Sequence, residues 1–267
     1  MIGSVFNALL VHEYLERVRD RWIILISILF AALGAGVSLY SQNLEGMDSV
    51  QIAGPSLVTL ATLFVPLVAL ILGHDAIVGE RERNTLSLLL SLPISRTGLV
   101  VAKMLGRTAA LCTSIIVGLG GAMILTAADG RGQILALMVP TILLGIAFLS
   151  MGVAISAIAR RVTVAVNVAV ALWFIFVFFF DLGLLELMVI TEGAVSKELI
   201  HYLVLSNPAG LYRLEMLTYY NADIFTDEMG ISVVMPSQTI RLLIWSLWAV
   251  VPLAIASWVM QKRQSFR

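Results

Sequence analysis

The 267-residue chain has one cysteine, three histidines and few charges. Cys112 cannot close an internal disulfide or build a thiolate cluster around a metal. It falls in an apolar run, where it reads as a buried, inert thiol. Charged residues make up 13% of the chain, against about 25% in an ordinary soluble domain. Hydrophobic residues make up 60%, and the mean hydropathy is +0.97. A soluble domain this apolar has too little polar surface to cover itself, a requirement that a bilayer removes. Lys plus Arg equals Asp plus Glu, at 17 each, so net charge points to no nucleic-acid partner. A phosphate-binding G-x-x-x-x-G-K-[ST] loop is also missing. Its nearest candidate, Gly106-Arg107-Thr108, has neither the lysine nor the glycine spacing. The first twenty residues mix Glu13, Glu16, Arg17, Arg19 and Asp20 with apolar residues, unlike a signal peptide.

A spanning helix needs about 20 mostly apolar residues. Six uncharged stretches meet that length: 22–40, 52–73, 108–127, 134–158, 162–180 and 242–260. The run Leu182 to Ile190, interrupted by Glu186, either lengthens the fifth helix or forms a re-entrant piece. Thirteen of the 17 basic residues fall at the N-terminus, in the second and fourth connections and at the C-terminus. Arg131, Lys197, Arg213 and Arg241 lie on the other side. Basic residues accumulate on the cytoplasmic side of short loops, so both termini are expected in the cytoplasm. The expected fold is an all-α polytopic membrane protein of six transmembrane helices in a single domain, residues 1–267.

Residues 1–21 read as an amphipathic helix. Ile2, Val5, Phe6, Leu9, Leu10 and Val18 fall opposite Asn7, Glu13, Glu16 and Arg17, with Val11 out of pattern. Such a helix lies in the membrane interface, or packs on the cytoplasmic loops. Residues 181–238 form a long outer segment with eight acidic residues and five aromatic ones from Tyr202 to Phe225. Two short helices are expected there, around 196–205 and 209–219, broken at Pro208. Structureless loops of this length are uncommon and usually functional.

The inner connection, residues 74–107, is dense in charge and then turns leucine-rich before Pro93. Leu86, Leu89 and Leu90 share a face, which suits docking into a groove on a soluble partner. The alternative is a solvated loop. Inside the spans no charged residue occurs, which argues against an ion-coupled carrier. Asn167 is the most polar group at membrane depth; it lines a pathway or bonds across helices. Ser114, Gly118 and Ala122, and likewise Gly152 and Ser156, form small-residue stripes that read as close helix contacts. His12 and His74 fall on the cytoplasmic side and His201 outside, so the three cannot share a metal. Met216, Met229 and Met235 accompany His201, and thioethers suit Cu(I), but scattered methionine is usually filler. No metal site and no catalytic residue is expected.

The run Gly79-Glu80-Arg81-Glu82-Arg83-Asn84-Thr85-Leu86, followed by Leu92-Pro93-Ile94-Ser95-Arg96, resembles the ABC-2 type transporter permeases. That resemblance implies a coupling helix seated on a separate ATPase subunit, with Glu80, Arg81, Glu82, Thr85, Leu86 and Leu89 in contact. Asn84 stands where glycine is common in the family. The chain is most similar to the permeases that serve nitrous-oxide reductase maturation. Leu72 to Glu80 and Ser206 to Leu214 carry this closer likeness. It implies a bacterial inner-membrane location, a second copy of the chain and a periplasmic repeat protein contacted through Asn207, Pro208, Tyr212, Arg213 and Tyr219. It further implies a copper-chaperone lipoprotein and a role in building the reductase's copper–sulfur cluster. ATP and Mg would be held by the partner ATPase, with no cofactor in this chain. The open alternatives are export of another cargo, such as an ion, drug or lipid, and a non-transporting scaffold for a periplasmic assembly factor.

Overall fold

The computed structural model describes residues 2–21, 23–25, 27–28, 31–32, 49–125, 131–192, 194–220 and 235–262. Its described residues fold into helices joined by short turns. In chain order these are α1 (Ile2–Val18), α2 (Ser49–Gly73), α3 (Val78–Glu82), α4 (Leu86–Ser91), α5 (Arg96–Leu125), α6 (Arg131–Ile158) and α7 (Val162–Phe174). A π-helical turn, Ile175–Phe179, leads directly into α8 (Phe180–Ile190). Then come α9 (Lys197–Ser206), α10 (Pro208–Tyr219) and α11 (Gln238–Lys262). Among the described residues, five helical stretches are long and apolar enough to cross a membrane: Pro55–Glu82, Arg96–Ile124, Ile134–Ile158, Val162–Ile190 and Gln238–Lys262. The chain is an all-α, multi-pass membrane protein. Most of the stretch 22–40 lies outside the described residues; those described within it are helical.

Helix α6 is the axis of the bundle. It packs against α2, α5, α7, α10 and α11. Its crossing with α2 is close because both helices present a glycine there. A Cβ built on Gly152 would lie 2.9 Å from the Gly73 Cα, and one on Gly73 would lie 2.8 Å from the Gly152 Cα. Small residues allow such an approach and gain dispersion contacts along the crossing. Ser156, one turn further along the same face, reaches the chain beyond α2, as described below. Ser114 on α5 donates to the Ile23 carbonyl at 2.9 Å and lies 2.9 Å from the Ser27 hydroxyl. The two stripes of small residues thus mark helix contacts.

Two boundaries differ from the hydropathy reading, and one alternative left open by it is decided. Helix α5 begins at Arg96, twelve positions before Thr108, so Lys103 and Arg107 belong to a long helix rather than to a loop. Their charges are tolerated there because acidic side chains from other elements surround them. Leu182 to Ile190 continues the fifth span through the π turn. In the outer segment the two short helices are α9 and α10, and Pro208 opens α10 instead of separating the pair. Its missing N–H costs nothing at a first helical position.

Helix α1 packs along α5. A Cβ on Gly106 would meet the Leu10 carbonyl oxygen and the Glu13 Cβ, each at 2.8 Å, so the two backbones approach closely. The face turned to α5 includes Leu9 and also Glu13, both buried, while Val11 and Leu15 are half exposed. Glu13 and Arg17 therefore stand on the covered side of α1, not on the solvated side that the polar pattern assigned to them. Val11, out of pattern in the sequence, is one of the outward residues.

Candidate functional site

At the end of the bundle that carries α1, α3 and α4, six charged side chains form a buried junction. Glu13 and Arg17 are four apart on α1, and Lys103 and Arg107 are four apart on α5, so each pair shares a helix face. Lys103 Nζ donates to Glu13 Oε2 at 2.8 Å, and Arg107 Nε donates to Glu13 Oε1 at 2.6 Å. The second arm of Arg107 donates to Asp75 Oδ1 at 2.5 Å and to the Leu72 carbonyl at the end of α2. Arg17 completes Asp75 at 2.9 Å. Lys103 also donates to Glu80 Oε1 on α3 at 2.9 Å. Glu13, Lys103 and Arg107 are each no more than 2% exposed. Burial alone would raise the Glu13 carboxyl. Arg107, Lys103 and Arg17 outweigh that and hold it below its ordinary range.

Helix α3 is only five residues long, and its neighbours hold it in place. The Ser156 hydroxyl accepts from the backbone N–H of Ile77 at 2.9 Å and of Val78 at 3.0 Å. It thereby satisfies two donors that a short helix leaves open at its start. Arg81 donates to the Ala159 carbonyl at 2.6 Å, and Glu82 accepts from the Val162 N–H at 2.7 Å. These two bonds clamp α3 to the turn between α6 and α7. Thr85 donates to the Glu80 carboxylate and carbonyl, joining α4 to α3. Between them Asn84 adopts a left-handed φ of 57°. Asparagine tolerates that region better than other residues except glycine, which gives a physical reason for Asn84 at this turn.

Helix α4 presents two different faces. Leu86, Leu89 and Leu90 are partly covered and pack on the core. Leu88 is 69% exposed and Leu92 39% exposed. With exposed Ser87 and Ser91 they make an outward strip at helical spacing.

At the opposite end, α10 wedges between α2 and α6. Pro208, Leu211, Tyr212 and Met216 are buried. The Tyr212 hydroxyl lies 3.0 Å from the Thr141 hydroxyl on α6. Arg213 pairs with Asp181 at 2.5 Å, and Arg241 pairs with Glu215 at 2.8 Å. Asn207 is 1% exposed.

A family model described as ABC-2 family transporter protein matches residues 7–264. The chain belongs to that family. It is 36% identical over 263 residues to a probable ABC transporter permease protein NosY of Pseudomonas aeruginosa, covering 94% of this chain and 96% of that protein. It is 32% identical over 265 residues to the protein of the same name from Stutzerimonas stutzeri, with the same two coverages.

Against this ABC-2 framework the expected coupling residues split into two kinds. Glu80, Arg81, Glu82 and Thr85 are spent on bonds within the chain, and Leu86 and Leu89 pack inward. They set the position of the α3–α4 unit. Leu88 and Leu92, the outward residues of α4, were not singled out: the spacing marked the Leu86, Leu89 and Leu90 face as the one open to a partner, and that face packs on the core. Glu13, Asp75, Lys103 and Arg107 were also missed as a group. Their i, i+4 pairs were visible, but only the packing of α1 on α5 brings them together.

Three expected partner contacts are corrected. Asn207, Pro208 and Tyr212 are buried within the chain and cannot form a docking surface. Tyr212 has an apolar ring and one hydroxyl, and Thr141 gives that hydroxyl an internal partner. Arg213 is partly covered by its pair with Asp181. Tyr219 is 51% exposed, as is Tyr202 at 68%. Asn167 is exposed on α7 in the single chain. Among the described residues, no group of three His, Cys, Asp or Glu side chains is placed to hold a metal ion.

Proposed function

We propose that this ABC-2 chain is the membrane subunit of a transporter whose ATP is hydrolysed, with Mg, by a separate ATPase subunit seated on α3 and α4. The reading rests on one observation: an exposed strip, Ser87, Leu88, Ser91 and Leu92, stands on a short helix bonded into three spanning segments. A force on α4 passes through Thr85 to Glu80. From there it reaches α5 through Lys103, α6 through Ser156, and the α6–α7 turn through Arg81 and Glu82. The buried junction then carries it to α1 and the end of α2. Charge-assisted hydrogen bonds of this kind are short and directional, so the elements move as one body.

This end faces the cytoplasm, in keeping with thirteen of 17 basic residues, and both termini share that side of the bacterial inner membrane. A second copy of the chain completes the pathway. It packs on the uncovered side of α7, where Asn167 is poorly suited to lipid because an unpaired polar group in hydrocarbon is costly. On the periplasmic side, Tyr202, Tyr219 and half-exposed Leu199 receive a repeat protein. A copper-chaperone lipoprotein acts with it, and the cycle serves the copper–sulfur cluster of nitrous-oxide reductase. The closer likeness in Leu72 to Glu80 and Ser206 to Leu214 supports that role.

The test substitutes Leu88→Asp and Leu92→Asp and co-purifies the chain with its ATPase. Loss of a hot-spot contact at the centre of an interface costs about 2 kcal/mol or more, about 30-fold in affinity. Loss of the ATPase on that scale is expected, with Leu199→Asp at the other end retaining it. Wild-type association and turnover in both variants would remove α4 from coupling.

A further inference from the structure

The fifth span runs unbroken from Val162 to Ile190, yet its two halves sit differently. Helix α7 packs on α2 and α6. Helix α8 has no buried residue. Between them lies the π turn, Ile175–Phe179. A π turn inserts one extra residue per turn and throws the backbone ladder out of register. A carbonyl in such a turn is open to a partner from outside the helix. Here that partner is Asn207. Its Nδ2 donates to the Phe176 carbonyl at 2.8 Å. Its Oδ1 accepts from the Ala209 N–H at 3.0 Å and so caps α10. One buried side chain thus binds the irregular point of a spanning helix to the first turn of the outer wedge.

The bonds on either side separate the two halves further. Three positions before Phe176, the Trp173 indole donates to the Leu63 carbonyl on α2 at 2.9 Å. Beyond the turn, Asp181 pairs with Arg213 on α10. The inner half is therefore anchored to the spanning core, and the outer half to α10.

We propose that the π turn is a hinge in the fifth span and that Asn207 is the positioning residue that sets its angle, making α8 and α10 swing together at the outer mouth. This deepens the transport reading, because such a hinge converts a shift of α7 into movement of the outer wedge. Tyr212 and Met216, on the covered face of α10, would then move with it.

Capping and hinge holding are separable by chemistry. Asn207→Ser retains an N-cap hydroxyl for Ala209 but is too short to reach the Phe176 carbonyl. Asn207→Asp caps equally well, and its carboxylate, being an acceptor only, cannot donate to a carbonyl. Spin labels at Val189→Cys on α8 and Ile124→Cys at the end of α5, in a Cys112→Ala background, report the angle in nanodiscs at pH 8 without nucleotide. Both Asn207 variants are expected to broaden and shift the distance distribution relative to Asn207, while the Tyr212 environment stays folded by tryptophan and tyrosine fluorescence. A distribution matching wild type in both variants overturns the hinge. The transport reading is scored separately, by whether ATP shifts the same labels when Asn207 is present and the ATPase is bound. Label movement on substitution without any ATP response supports the hinge and counts against ATP-driven coupling.

Discussion

Glu13→Ala is expected to lower the melting temperature of the detergent-solubilised chain more than any other single substitution at the charged end. The carboxylate accepts from Lys103 and Arg107 together, and all three groups are buried. Removing it leaves two cations facing Asp75 and Glu80 with less negative charge than before, out of reach of water. Breaking a buried ion pair by deleting one partner typically costs about 3–5 kcal/mol, because the remaining charge stays desolvated. The exposed Glu16, one turn from Glu13, is the control, since surface substitutions usually stay within about 0.5 kcal/mol. Glu13→Gln retains one acceptor oxygen and should fall between. Thermal melting followed by intrinsic fluorescence checks all three. If Glu13→Ala melts with Glu16→Ala, the junction contributes nothing to holding α1 on α5.

The second large effect is expected at the crossing of α2 and α6. Gly152→Val places its Cβ at 2.9 Å from both the Gly73 Cα and the Leu70 carbonyl oxygen. Neither neighbour is a side chain that can rotate away, so the helices must separate. Overpacking a core typically costs about 1–3 kcal/mol, and backbone against backbone belongs at the upper end. Separation also pulls Ser156 from Ile77 and Val78, which loosens α3. Gly120→Ala is the counterpart, because a Cβ there meets nothing within 4 Å. Replacing a helical glycine by alanine in open space favours the helix by up to about 1 kcal/mol. Melting temperature should fall for Gly152→Val and hold or rise for Gly120→Ala. Equal melting of the two would contradict the close crossing.

Much of the fold was legible because the bilayer imposes its own pattern. Five long uncharged runs stand in the structure as spanning helices, and Gly152 and Ser156 were readable as contact positions because small residues at helical spacing have few other uses in a span. The two outer helices followed from local chain chemistry, although Pro208 starts the second of them instead of dividing the pair. What stayed hidden depended on pairing between distant segments. Glu13 looks like a solvated residue until α1 is laid on α5, because a single acid on a short helix carries no sign of Lys103 and Arg107 ninety positions away. Tyr212 looks like an interface residue for the same reason. Its ring and hydroxyl suit a partner surface and an internal contact with Thr141 equally well, and only the insertion of α10 between α2 and α6 decides between them. Leu88 was lost among leucines whose inward or outward sense is set by how Thr85 and Glu80 fix the roll of α4.

In the proposed complex the face of α4 carrying Leu88 meets the ATPase. A photoreactive maleimide attached to Leu88→Cys, in a Cys112→Ala background, tests it directly in the assembled complex. Illumination should join the permease chain to the ATPase subunit, and the same label at Leu199→Cys on α9 should give no such adduct. An adduct from Leu199 with none from Leu88 would contradict both the coupling assignment and the orientation of the chain in the membrane.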